Sequence, residues 1–291
     1  LSPATRLFDA LERRLGAGVA EQPRLALAAA ATLGRLRNRL SRRWPSPEQV
    51  LALFPELGTR EAAEVAWRIG GLEACNRAWV EGLRRVGLDP LRPLVRMPPE
   101  LARLRPPLIL GTFHVGAVHS LSPAFERLNA PVIALRDGPF YPVRSPLTLA
   151  TTEGGSQRRA ALFHRLLGNL SDCGFVALAL DAVPGVGLPV SCLGHRLGLA
   201  RGPFALARLA GVPLLPIVGR FRDGGVDIVL GEALPQPPAS EAVEWESTLA
   251  ASAAGWLERY LRAAPAELGL GLLRNLLAAG ITSPPSAAGG C

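Results

Sequence analysis

The chain has 291 residues, 48% of them hydrophobic, and a formal net charge of +8 in which all 32 basic residues are arginine. This composition fits a globular protein with a substantial core and excludes a disordered chain. The surplus charge attracts anions, but with 5% aromatic residues and no helix-turn-helix, zinc spacing or RNA-binding aromatic motif it does not read as a nucleic-acid protein.

Residues 1–45 read as basic amphipathic helices. Leu25, Ala29, Leu33, Leu36 and Leu40 recur at helical spacing, and Arg35, Arg37, Arg39, Arg42, Arg43 and Trp44 accompany or follow them. Such a helix either lies in a membrane interface or packs on the domain with a solvated basic face. No apolar run reaches the roughly 18 residues that spanning a bilayer requires. Residues 46–91 form a helical segment packed on the core: Ser46-Pro47-Glu48-Gln49 is a capping box, and a second helix begins after Thr59 and ends near Gly87. Gly70-Gly71 inside it marks a kink or a close helix contact.

Residues 92–282 change character, because β-type runs now alternate with helical segments. Strands are expected at Leu94–Met97, Leu108–Phe113, Val132–Arg136, Phe175–Asp181, Leu188–Cys192, Leu214–Phe221 and Val226–Leu230. Helices are expected at Val115–Leu128, Arg158–Leu170, Pro203–Ala210 and Ala242–Ala263. The fold class is therefore α/β: a single mostly parallel sheet flanked by helices, with an N-terminal helical extension. Arg222-Asp223-Gly224-Gly225 joins the last two strands as a hairpin, and residues 283–291 read as a disordered tail. Cys75, Cys173, Cys192 and Cys291 show no paired spacing, so buried free thiols are expected, with neither a disulfide framework nor a metal site.

The chemistry concentrates in Pro107-Leu-Ile-Leu-Gly-Thr-Phe-His114-Val-Gly116-Ala-Val-His119. A buried strand delivers His114 to the carboxyl edge of the sheet, where ligands bind in open α/β folds. Gly116 lets a substrate or another backbone come close. His164, bordered by arginines, reads as an exposed helix residue, and His195 carries a weaker functional claim.

His114-x-Gly116 after a strand resembles the motif of the lysophospholipid acyltransferase superfamily, in which histidine is followed by four residues and then Asp or Glu. The likeness is greater to the branch of the lipid A late acyltransferases and phosphatidylinositol mannoside acyltransferases. It spans roughly residues 20 to 262. It takes in Phe54-Pro-Glu-Leu57, Leu178-Ala-Leu-Asp181, Leu193-Gly194 and the block from Gly202-Pro-Phe-Ala through Gly211-Val-Pro to Pro216 and Arg220. The resemblance implies an acyltransferase that moves a fatty acyl chain from an acyl carrier protein or coenzyme A thioester to a hydroxyl of an anionic lipid or glycolipid. The thioester is a co-substrate, and no metal or other cofactor is implied. The Leu25–Arg43 stripe, the arginine bias and the expected free thiols lead to the expectation of a peripheral protein on the cytoplasmic face of a bacterial inner membrane.

Two departures bear on activity. His119 occupies the acidic position of the motif, and Pro265-Ala-Glu-Leu268 stands where Pro-x-x-Trp is common. Three outcomes are open, the first being that another carboxylate replaces the missing acid, with Asp181 the best candidate because it ends a neighbouring strand at the same edge. Otherwise the pair is His–His and slow, or the chain is a catalytically impaired lipid-binding homologue. Substrate anions are expected at Arg136, Arg144, Arg196, Arg201 and Gly202, the last two opening a helix suited to a phosphate.

Overall fold

The computed structural model describes residues 21–41, 45–136, 141–151, 155–181, 187–237 and 241–278, with scattered helical positions between 8 and 18. Arg42, Arg43, Trp44, Cys291 and the expected disordered tail lie outside the described residues.

Three helices come first. Helix α1 spans Pro23–Ser41, α2 Pro47–Leu53 and α3 Thr59–Val86. Ser46 caps α2 as its sequence predicts: its hydroxyl accepts from the Gln49 N–H, and its own N–H donates to Gln49 Oε1 at 2.9 Å. Gly87 ends α3 at φ +73°, where a side chain would be strained.

The face that α1 turns inward is not the leucine stripe read from the sequence. Ala26, Leu27, Ala30, Gly34 and Asn38 are buried against α3, whereas Leu25, Leu36 and Leu40 are exposed. Backbone proximity decides this. A Cβ on Gly34 would overlap the Gly70 carbonyl oxygen, and one on Gly71 would lie 2.9 Å from the Ala31 oxygen. Asn38 Nδ2 donates to the Ala66 carbonyl at 2.7 Å across the same seam. Gly70-Gly71 is thus a close contact, and the small side chains of α1 go in because only they let the helices approach.

The sheet follows. Its strands are β1 (Val95–Arg96), β2 (Leu108–Thr112), β3 (Val132–Leu135), β4 (Leu147–Ala150), β5 (Phe175–Ala179), β8 (Leu214–Arg222) and β9 (Gly225–Leu230), in the order β1-β9-β8-β2-β5-β3-β4. All neighbouring pairs are parallel except β8 and β9. Every residue of β2 is buried, as a central parallel strand covered on both faces requires. Ile109 joins one apolar cluster and Leu108 and Leu110 the other. A separate antiparallel hairpin pairs β6 (Leu188–Cys192) with β7 (His195–Leu199) through Leu193 and Gly194, both at positive φ. Asp223 and Gly224 turn the β8–β9 hairpin in the same way.

The remaining helices are α4 (Ser122–Phe125), α5 (Ser156–Ser171), α6 (Arg201–Ala210), α7 (Ala242–Ala263) and α8 (Leu270–Ala278). The chain is therefore α/β, with a mostly parallel sheet between helical layers. Strands β4 and β7 and helix α8 were not expected from the sequence. The expected helix at Val115–Leu128 is instead a 3₁₀ turn at Val118–Ser120 followed by the short α4. Gly116 at φ +57° breaks the helical path. The Gly116 N–H goes to the Glu267 carbonyl at 2.8 Å and the Ala117 N–H to that of Gly219 at 2.7 Å. Cys75 and Cys192 are buried free thiols whose pKa values burial pushes up to about 12. Cys173 corrects the expectation of burial, because it sits exposed in the turn before β5 at φ +56°. No described helix is long and apolar enough to cross a membrane.

Candidate active site

Strand register puts the two central side chains together. Thr112 at the end of β2 pairs with Ala179 at the end of β5. Two residues beyond the end of each strand stand His114 and Asp181, still neighbours. Asp181 Oδ1 lies 2.9 Å from His114 Nδ1, and the His114 backbone N–H points at both carboxylate oxygens, 3.2 and 3.1 Å away. The Asp181 side chain is 3% exposed and that of His114 52%. A carboxylate accepts and cannot donate, so it places the imidazole proton on Nδ1 and leaves the basic lone pair on Nε2.

The loop carrying His114 is held from behind. Asn76 Nδ2 on α3 donates to the Gly116 carbonyl at 2.9 Å. The 3₁₀ turn Pro265–Glu267 receives the Gly116 N–H, and the adjoining Gly269 lies so close that a Cβ there would overlap the His114 carbonyl oxygen. Burial raises the Glu267 carboxyl above its ordinary pKa, opposed by Arg220, whose Nε donates to Oε1 at 3.1 Å. The segment Pro265-Ala-Glu-Leu268 is therefore the clamp on the histidine loop.

His114 and Asp181 line a cavity of about 780 Å³, with walls that include Leu121, Phe125, Leu149, Leu162, Phe163 and Leu206. That volume falls within the usual range for small-molecule sites, about 300–1,000 Å³. The polar groups on its wall include His119, Arg136, Arg159, Ser122 and Asn275. Burial, with help from the Arg136 guanidinium, His114 and Arg84, pushes the His119 pKa down to about 4. It is a neutral imidazole at physiological pH.

The expected anion-binding residues divide. Arg136 lines the cavity, with its guanidinium stacked 4.7 Å over the Tyr141 ring and NH1 donating to the Tyr141 hydroxyl at 3.0 Å. That hydroxyl is 2.6 Å from Ser122 Oγ. Gly202 also lines it. Arg144, Arg196, Arg201 and Gly116 do not. Arg144 reaches Asp89 at 3.1 Å. Arg201 Nε donates at 2.6 Å to Glu246, a carboxylate almost wholly buried that Arg208 also meets. Arg196 is exposed on β7. Gly116 faces the Gly219 backbone, which makes it a packing glycine and not a substrate contact. His195 is buried with Nε2 3.2 Å from the Ala52 carbonyl, and His164 is exposed on α5.

Sequence reading missed Arg159 and Asn275 in the cavity wall. For Arg159 a signal was present: positions 159, 162, 163 and 166 share one helical face. Asn275 lies on α8, a helix the sequence did not disclose. Among the described residues no group of three or more His, Cys, Asp or Glu is arranged to hold a metal ion. No protein-family model matches the chain, and no curated protein matches it.

Proposed function

We propose that the protein is an acyltransferase, passing a fatty acyl chain from a thioester to the hydroxyl of an anionic lipid or glycolipid, with His114 as general base and Asp181 as the acid that orients it. The observation that carries this reading is the His114–Asp181 contact on the wall of an apolar cavity. An alcohol is a poor nucleophile at neutral pH, so an imidazole must take its proton as the oxygen attacks. Asp181 fixes the tautomer and stabilises the imidazolium that forms. The apolar walls suit an alkyl chain, each buried methylene contributing about 0.8 kcal/mol. Arg136 supplies positive charge on the same wall for an anionic headgroup or donor.

The test is direct. Purified protein given acyl-coenzyme A or acyl carrier protein thioesters with a glycolipid acceptor releases thiol and forms ester. His114→Ala lowers the rate by about 10²–10⁴-fold. Equal thiol release by parent and variant sinks the reading.

Membrane association belongs to the same proposal. Helix α1 turns three Arg-Leu pairs outward, at 24–25, 35–36 and 39–40, with Leu25 and Leu40 about two-thirds exposed. Leucines entering the acyl boundary beside arginines at the phosphates describe an interfacial helix. Replacing Leu36 and Leu40 together by serine is expected to abolish flotation with anionic vesicles while leaving the melting temperature within about 2 °C, since neither side chain is buried. Undiminished flotation of the double variant excludes α1 as the contact.

A further inference from the structure

We infer that His119 is a second catalytic residue, whose ring N–H donates a hydrogen bond to the oxyanion formed when the acceptor hydroxyl attacks the thioester. This inference rests on the acyl-transfer reading above. Three observations carry it. First, His119 lines the same cavity as His114, on the 3₁₀ turn that follows the histidine loop. Second, it cannot be the partner that orients His114, because Asp181 already sits on Nδ1 at 2.9 Å. Third, no described residue hydrogen-bonds to the His119 ring, and the charged groups near enough to act on it are Arg136, His114 and Arg84, with no carboxylate among them. A ring on the cavity wall with no internal partner is available to a ligand.

The reaction assigns each electron pair. The hydroxyl oxygen attacks the thioester carbon while its proton passes to His114 Nε2. The C=O π pair moves onto oxygen, and the resulting oxyanion accepts the His119 N–H. The pair then returns to reform C=O, the C–S bond breaks, and the leaving thiolate takes the proton back from His114. A neutral imidazole suits the second role, because it donates without having to lose a charge, and an imidazole held neutral is known to polarise a carbonyl oxygen in this way. Nearby Arg136 and Arg84 add positive potential where negative charge develops. An acidic residue at position 119 would do the opposite. With Asp181 serving as the orienting acid, the motif position is released for a donor.

Three substitutions test this with thioester turnover, resolved into kcat and KM, and with thermal melts of each variant. His119→Phe removes the donor and is expected to lower kcat about 10²-fold with KM little changed, the usual cost of losing one oxyanion donor. His119→Gln keeps a donating N–H and is expected to stay within about tenfold of the parent. His119→Asp sets a carboxylate against the oxyanion and is expected to fall at least as far as His119→Phe. The Gln and Asp variants decide the matter even if the bulky ring of the Phe variant unfolds the chain. Turnover above the parent in His119→Asp overturns the inference, since position 119 would then serve as the orienting acid. So does a rise in KM alone, which would make His119 a binding residue, or a His119→Gln variant as slow as His119→Asp. These failures are separable from failure of the acyltransfer reading: turnover lost in His114→Ala but intact in every His119 variant removes only this inference, whereas no His114-dependent turnover removes both.

Discussion

Replacing Asp181 by asparagine is expected to lower turnover by about 10⁴-fold while leaving the fold and KM almost unchanged. Asparagine keeps an oxygen for the His114 backbone N–H, now met at 3.1 and 3.2 Å by the two carboxylate oxygens, so the strand ends stay in place. What it removes is charge. Without a carboxylate on Nδ1 the imidazole loses its fixed tautomer, and the imidazolium formed during attack loses its counter-charge. Neutralising an acid in that position costs about four orders of magnitude. The measurement is kcat with a saturating thioester, read beside a thermal melt. Turnover within tenfold of the parent would show that Asp181 is dispensable, and with it the pairing on which the proposed mechanism rests.

Gly116→Ala is expected to produce a large loss of stability for a single added methyl group. At φ +57° an L side chain is strained by about 1–2 kcal/mol. The added Cβ would also overlap the Gly219 carbonyl oxygen and lie 3.0 Å from Glu267 Oε2. Overfilling a packed site of this kind costs about 1–3 kcal/mol more. A total of about 3 kcal/mol lowers the melting temperature by roughly 6–12 °C for a chain of this size. Because Gly116 stands two residues from His114, turnover is expected to fall as well. A variant melting within 1 °C of the parent would mean that the loop relaxes freely, contrary to its hydrogen bonds to Glu267, Gly219 and Asn76.

Much of the sheet can be read from sequence because its physics is local. Leu108-Ile-Leu-Gly-Thr and Phe175-Val-Ala-Leu-Ala are apolar runs of strand length, and in a parallel sheet such strands end at a common edge. From that alone Asp181 is a reasonable neighbour of His114. The loop after His114 is not legible in the same way. Val115–Leu128 has apolar residues enough for a helix, but the backbone donors of Gly116 and Ala117 are taken by partners about a hundred residues or more away in sequence. No local pattern announces such a contact.

The arginines illustrate a different limit. In a chain whose cations are all arginine, residue type alone carries no information about role. Arg201 and Arg136 look alike in sequence, and acidic or aromatic partners elsewhere in the fold separate them: Glu246 engages the first, Tyr141 the second. Helix α1 shows one apolar stripe in sequence, and the face it buries is another. Hydrophobicity favours the leucines, yet the glycines of α3 admit only the small side chains of the other face.

The spacing of His114 from Asp181 is a matter of parity. Both side chains extend ladders already paired residue for residue, so exchanging one apolar strand residue for another leaves their alignment untouched. Inserting or deleting a single residue in either strand would send one member of the pair to the opposite side of the sheet. The arrangement therefore tolerates broad drift in residue identity and almost none in length, so the chain can diverge widely in sequence while the distance between these two groups stays constant.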